Sequence, residues 1–135
     1  MFLDSVTQAN ASFLGEDSSM ASRPYFLSTG NATKRIVDDT TIHIENITIS
    51  NPNTVSLFLQ MFDAAATGDV TLGSTAPNYV LPIPDGTSAT LVGAIDKEFP
   101  KGLQFDLGFV WAITTTATGS TGAASDCVLS ASYNS

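Results

Sequence analysis

From residue 36 to the end of the chain, apolar residues recur at every second position in short runs separated by turn residues. Clear cases of this alternation are Val55, Leu57, Leu59 and Met61, then Leu107, Phe109, Trp111 and Ile113, and finally Cys127, Leu129, Ala131 and Tyr133. A period of two places alternate side chains on one face of a β-strand. The pattern predicts an all-β fold of about seven or eight strands, most simply a β-sandwich. Long connections and few tight hairpins favour the jelly-roll form.

Three local features refine this prediction. The alternation changes parity at Glu45-Asn46 within one apolar-rich run, which predicts a β-bulge there. Pro82 and Pro84 lie in another run, and because proline cannot donate to a ladder, that strand is predicted at a sheet edge. The charged stretch 96–98 is predicted as a solvated loop, and residues 63–68 as a single helical turn.

Composition excludes several classes of function. Only 13% of residues are charged, while 17 Thr and 15 Ser supply much of the polarity. The formal charge of −8 disfavours binding to nucleic acid, whose phosphates attract basic proteins. No stretch approaches the 18 or so apolar residues of a transmembrane helix, so no membrane partner is expected. One cysteine, Cys127, and one histidine, His43, are too few for an internal disulfide or a typical zinc site.

The charge divides the chain into two parts. Residues 1–35 carry three acids and three bases, whereas residues 36–135 carry ten acids and two bases, and therefore the whole −8. The first part shows no sustained alternation and is predicted as an extended N-terminal arm, with the sandwich domain at 36–135. Large apolar residues cluster in this arm, and they are predicted to bind grooves of a partner. These candidate anchors are Phe2, Leu3, Phe13, Leu14, Tyr25, Phe26 and Leu27.

No catalytic constellation emerges, so the chain is predicted not to be an enzyme and to need no cofactor or metal. His43 lies mid-strand without a nucleophile elbow in the sequence. Cys127 is in register with core residues, and Trp111 shares a face with apolar neighbours, so both are predicted to pack in the core. Acidic residues that could act as a glycosidase pair are not paired by their spacing. They are Asp96, Glu98 and Asp106.

Several runs in residues 36–135, taken in order and spacing, resemble small β-sandwich domains of tailed-bacteriophage virion proteins, including head decoration (cement) and fibre-associated proteins. The runs are residues 56–63 (SLFLQMFD), 70–77 (VTLGSTAP), 80–86 (VLPIPDG), 99–103 (FPKGL) and 111–119 (WAITTTATG), followed by Asp126 and residues 129–133 (LSASY). The resemblance implies a structural protein on the capsid surface, bound to the major capsid protein and assembled as a homotrimer. It supplies no catalytic residues.

Two other functions stay open at this stage. A fibre- or tail-associated module could recognise host glycans through loops near Tyr79 or residues 117–124, because sugar sites combine an exposed aromatic ring with polar groups. A protein that joins tail or neck parts would differ only in its virion partner.

Overall fold

The computed structural model describes residues 25–86 and 93–134. This part of the chain contains eight β-strands and one turn of 3₁₀ helix at Thr67–Asp69. The strands are β1 (Tyr25–Gly30), β2 (Arg35–Asp38), β3 (Ile42–Asn51), β4 (Leu57–Asp63), β5 (Tyr79–Ile83), β6 (Gly93–Phe105), β7 (Phe109–Thr114) and β8 (Cys127–Asn134).

The strands form two four-stranded antiparallel sheets. One sheet has the order β1-β8-β3-β6 and the other the order β2-β7-β4-β5. Most connections between the eight described strands cross from one sheet to the other, and among these strands only β4 and β5 are sequential neighbours in one sheet. This arrangement confirms the predicted jelly-roll-like β-sandwich.

The core lies between the sheets and consists of the inward side chains of both. The predicted inward positions of β8 hold, since Cys127, Leu129 and Ala131 are buried. Trp111 is 1% exposed and belongs to the same core, as predicted. β7 is buried on both faces, because Val110 packs with Phe62 in a second cluster beneath the segment that follows β4. The 3₁₀ turn in that segment replaces the helical turn predicted for residues 63–68.

The predicted bulge in β3 is confirmed, and it is larger on one side than the parity switch indicates. Against β8, Glu45 is a single extra residue between the pairs Ile44↔Tyr133 and Asn46↔Ser132. Against β6, the pair Ile44↔Leu103 is followed by Asn46↔Glu98, so residues 99–102 all lie opposite Glu45. Gly102 has a φ of 77°, which lets β6 turn sharply here.

The boundary predicted at residues 35–36 is wrong for residues 25–35. β1 pairs with β8 from Tyr25↔Ser132 to Gly30↔Cys127, so these residues belong to the sandwich. Arg35 pairs with Trp111 at the start of β2. Residues 1–24, which include the rest of the predicted arm, lie outside the described residues.

Three smaller predictions also need correction. Residues 96–98 lie within β6 rather than in a loop, because β6 is an edge strand whose side chains reach solvent on both faces. Leu107 is 58% exposed rather than inward, because it lies in the turn before β7, where its N–H donates to Asp63 Oδ1 at 2.7 Å. Val55 is 50% exposed in the loop before β4. The predicted edge position of the proline-containing strand is confirmed, since among the described strands β5 pairs only with β4.

Candidate functional site

The outer face of the β1-β8-β3-β6 sheet presents short polar side chains between two different borders. The register aligns Leu27, Ser130, Thr48 and Asp96 in one row across the four strands. The next row is Tyr25, Ser132, Asn46 and Glu98. The face is therefore apolar at the β1 edge, hydroxyl- and amide-rich in the middle, and acidic at the β6 edge.

The predicted anchors on β1 divide between the two faces of the strand. Tyr25 and Leu27 are each 61% exposed on the outer face. Phe26 points inward, where its ring centroid lies 6.3 Å from that of Phe109 and 6.0 Å from that of Tyr133. Phe26 is half-buried and packs against the core from the β1 side, so it faces away from the outer surface on which Tyr25 and Leu27 lie. The other four candidates, Phe2, Leu3, Phe13 and Leu14, lie outside the described residues.

Of the three acidic residues considered for catalysis, Asp96 and Asp106 accept hydrogen bonds from neighbouring side chains and so have a structural role. Asp96 Oδ1 accepts hydrogen bonds from Asn46 Nδ2 at 2.7 Å and from Thr48 Oγ1 at 3.2 Å, across the β3–β6 ladder. Asp106 Oδ1 accepts a hydrogen bond from Gln104 Nε2 at 2.6 Å. No group of three or more metal-ligating side chains occurs among the described residues.

His43 is part of a hydrogen-bonded row along the same outer face. Its Nε2 and Gln104 Oε1 are 3.1 Å apart, and Gln104 in turn donates to Asp106. In this arrangement the imidazole donates through Nε2 to an amide oxygen. The amide separates the ring from the Asp106 carboxylate, so the row orients His43 without forming the direct His–carboxylate pair of a hydrolase triad.

The β6 bulge creates an open cleft beside His43. We call this the bulge cleft; it has a volume of about 540 Å³ and is lined by His43, Glu45, Glu98, Phe99, Lys101 and Asn134. Phe99 also contacts Tyr79 edge-on, with ring centroids 5.7 Å apart, and Lys97 Nζ lies 5.8 Å from the Phe99 centroid. The cleft therefore combines an aromatic wall with amide, imidazole and carboxylate groups. The parity switch in β3 was the sequence signal for this cleft. It did not reveal that four residues of β6 lie opposite Glu45.

A second hollow lies on the other side of the sandwich, between the edge strands β1 and β2. We call this the β1–β2 groove; its volume is about 420 Å³, and its lining includes Phe26, Lys34, Arg35, Ile36, Trp111 and Tyr133. Sequence reasoning did not find it, because it depends on which strands lie at the two sheet edges.

Cys127 is buried and packs in the core, as predicted. Burial, together with the neighbouring Asp126 carboxylate, raises the pKa of its thiol to about 11. A thiol with so high a pKa carries almost no thiolate at neutral pH, and the thiolate is the nucleophilic form. The side chain is therefore unsuited to nucleophilic catalysis.

Comparisons with known proteins add no relative to this description. No protein-family model matches the chain, and no curated protein matches it either. Within the described residues, no helix has the length and apolar character needed to cross a membrane.

Proposed function

We propose that this protein is a structural virion protein, a decoration or cement subunit that binds the major capsid protein on the outside of a tailed-phage head and stabilises the shell. In this proposal it acts as a homotrimer, without cofactor and without catalysis. The proposal rests on the resemblance of residues 36–135 to phage β-sandwich domains, and the jelly-roll-like fold is compatible with it. Fold alone does not decide function, so the surface has to carry the argument.

The observation that carries the proposal is the apolar border formed by Tyr25 and Leu27. Both side chains are 61% exposed on an edge strand, whereas the large apolar residues of the other described strands are buried or half-buried, apart from Ile36 and Val128 at 42% each. Val128 on the neighbouring strand β8 is 42% exposed on the same outer face and extends the border. Exposed apolar residues grouped on one face are typical of protein–protein contact sites.

Binding to capsids that lack the protein tests this directly. The double variant Tyr25→Ser/Leu27→Ser should bind at least about a hundredfold more weakly, because burying each such side chain is worth roughly 1.5–3 kcal/mol. Co-sedimentation of the full-length protein with capsids over a concentration series gives the affinity. Leu107→Ser is the matched control, since Leu107 is 58% exposed but lies in the turn between β6 and β7. Unchanged binding of the double variant would reject this surface as the contact.

The bulge cleft favours a second candidate function, a fibre- or tail-associated module that recognises host glycans. Sugar sites combine an aromatic face with several polar groups, and Phe99, His43 and Asn134 supply this combination in the bulge cleft. The prediction of glycan contact through Tyr79 changes accordingly, because the Tyr79 ring packs on Phe99. Binding of the intact protein to a glycan array, lost in Phe99→Ser and kept in Leu107→Ser, would favour this alternative.

A further inference from the structure

The sandwich is closed at one pair of sheet edges and open at the other. On the closed side, Tyr79 of β5 contacts Phe99 of β6, with a ring-centroid distance of 5.7 Å. On the opposite side, the β1–β2 groove separates the two edge strands. Phe26, Ile36 and Tyr133 line this groove and give it apolar surface beside its polar groups, and the buried Trp111 lies at its base. An open, partly apolar groove beside a strand edge that is unpaired among the described strands can accept a further segment of chain.

The groove is also basic, in a chain that is otherwise acidic. Lys34 and Arg35, two of only five cations in the sequence, both line it. The Nε atom of Arg35 is buried and has no hydrogen-bond partner among the described residues. The Lys34 ammonium donates to the backbone carbonyl of Val70, a neutral acceptor. A buried donor without an acceptor destabilises the fold. A carboxylate entering the groove would accept from the Arg35 guanidinium and would be the strongest partner for it.

The chain itself contains a segment that matches these requirements. Residues 13–17 read Phe-Leu-Gly-Glu-Asp, two large apolar residues followed closely by two carboxylates. Eight peptide steps separate Asp17 from Tyr25 and reach at most about 28 Å when extended. The length of β1, five steps between its ends, is about 17 Å. The segment can therefore turn back and lie along the whole of β1.

We propose that residues 13–17 dock in the β1–β2 groove of the same chain. Phe13 and Leu14 supply the apolar contact with the groove, and Glu16 and Asp17 pair with Arg35 and Lys34. β1 provides unpaired backbone groups along its outer edge, since among the described strands it pairs only with β8. The same chain is the favoured source of the segment, because a short tether gives it an effective concentration of order millimolar. This inference does not depend on capsid binding.

Nuclear magnetic resonance on the full-length protein tests the docking. A nitroxide attached through Ser18→Cys, with the buried Cys127 left unlabelled, should weaken the amide signals of Lys34, Arg35 and Ile36 at least twofold. Reversing the segment charges with Glu16→Lys/Asp17→Lys should restore those signals. Adding Lys34→Glu/Arg35→Glu to that variant should weaken the signals of residues 34–36 again, because the charges are then exchanged.

Two controls make the outcome decisive. Asp85→Lys/Asp126→Lys changes the net charge equally at exposed positions outside the groove and should leave the weakening intact. In a mixture of ¹⁵N-labelled protein without nitroxide and unlabelled protein with nitroxide, the signals should stay at full intensity. Weakening in that mixture would place the segment in a second copy and overturn the same-chain assignment. Signals of residues 34–36 that are unaffected by the nitroxide in the first sample would overturn docking altogether. The nuclear magnetic resonance result is independent of capsid binding, which is measured in a separate experiment.

Discussion

The contact between Gly30 and Trp111 shows how closely single residues fit in this sandwich. Gly30 lies at the end of β1, and a Cβ atom there would come within 2.4 Å of two carbons of the Trp111 ring. Trp111 is held in the core and pairs in register with Arg35, so it has little room to move. A glycine is needed here for close approach and not for an unusual backbone angle.

Gly30→Ala should therefore destabilise the fold. Overpacking a filled core costs about 1–3 kcal/mol, and we expect a loss of this size. Urea unfolding followed by the fluorescence of Trp111, the only tryptophan, measures it. Gly68→Ala is the matched control, because a Cβ there meets nothing within 4 Å. Equal stability of the two variants would show that the Trp111 ring yields.

Cys127 makes the stability depend on alkaline pH. Its pKa is about 11 in the fold, compared with 9.0 for an unperturbed thiol. Between these values the unfolded chain loses the thiol proton while the folded protein keeps it, so the free energy of unfolding falls as pH rises from about 9 to about 11. Unfolding of Cys127→Ala across this range should show a shallower decline than the parent. Parallel pH profiles would contradict a raised pKa.

The side-chain amides of Asn51 and Asn53 hold the loop between β3 and β4 in place. Asn51 is fully buried, and its Nδ2 donates to the carbonyls of Val55 and Pro84, both at 3.0 Å. Its Oδ1 accepts from the backbone N–H and Nδ2 of Asn53, both at 2.9 Å. Asn53 continues the network to both backbone groups of Ser125. These bonds hold three loops together at one end of the sandwich.

At the scale of elements, the sequence predicted the strands that have one face against the core and the other toward solvent. β8 is the simplest case, because its inward residues are apolar and its outward ones are mostly small and polar. The β3 bulge was visible as a parity switch, and the edge position of β5 followed from the chemistry of Pro82. Each of these signals is local, so it can be seen in one stretch of sequence.

The elements that the sequence did not reveal are those at sheet edges. Tyr25, Phe26 and Leu27 are all large and apolar, which hides their alternation between the outer face and the interior. The charged residues 96–98 suggested a loop, but an edge strand whose side chains reach solvent on both faces tolerates charge there. The two hollows depend on strand order, which no local pattern specifies. The position of Phe26 on the opposite face of β1 from Tyr25 and Leu27 was hidden for the same reason.

The position of β1 in the sandwich predicts different outcomes for two deletions. Removal of residues 1–24 should leave a cooperative unfolding transition, because all eight strands remain. Removal of residues 1–30 should abolish or strongly lower that transition, because it takes β1 from β8 and uncovers Phe109 and Trp111. Thermal unfolding by circular dichroism compares the two. A stable product of the longer deletion would show that β1 is dispensable.

At the scale of the whole molecule, the charge of the chain acquires a spatial meaning. The acidic residues keep the sandwich hydrated and limit non-specific association, as a net charge far from zero does. Lys34 and Arg35 line the β1–β2 groove, and Tyr25 and Leu27 form an exposed apolar border on β1 that reaches the groove at Leu27. The molecule thus has one side suited to contact with other proteins and an acidic edge at β6.

The number of copies per virion tests the proposed role most directly. A decoration subunit covers a shell built of many equivalent capsid proteins, whereas a fibre or tail component occurs at a single vertex. Quantitative mass spectrometry of purified virions, with the major capsid protein as the internal standard, gives this number. The proposal predicts a constant ratio to the major capsid protein that corresponds to hundreds of copies. A dozen copies or fewer, or absence from purified virions, would contradict it.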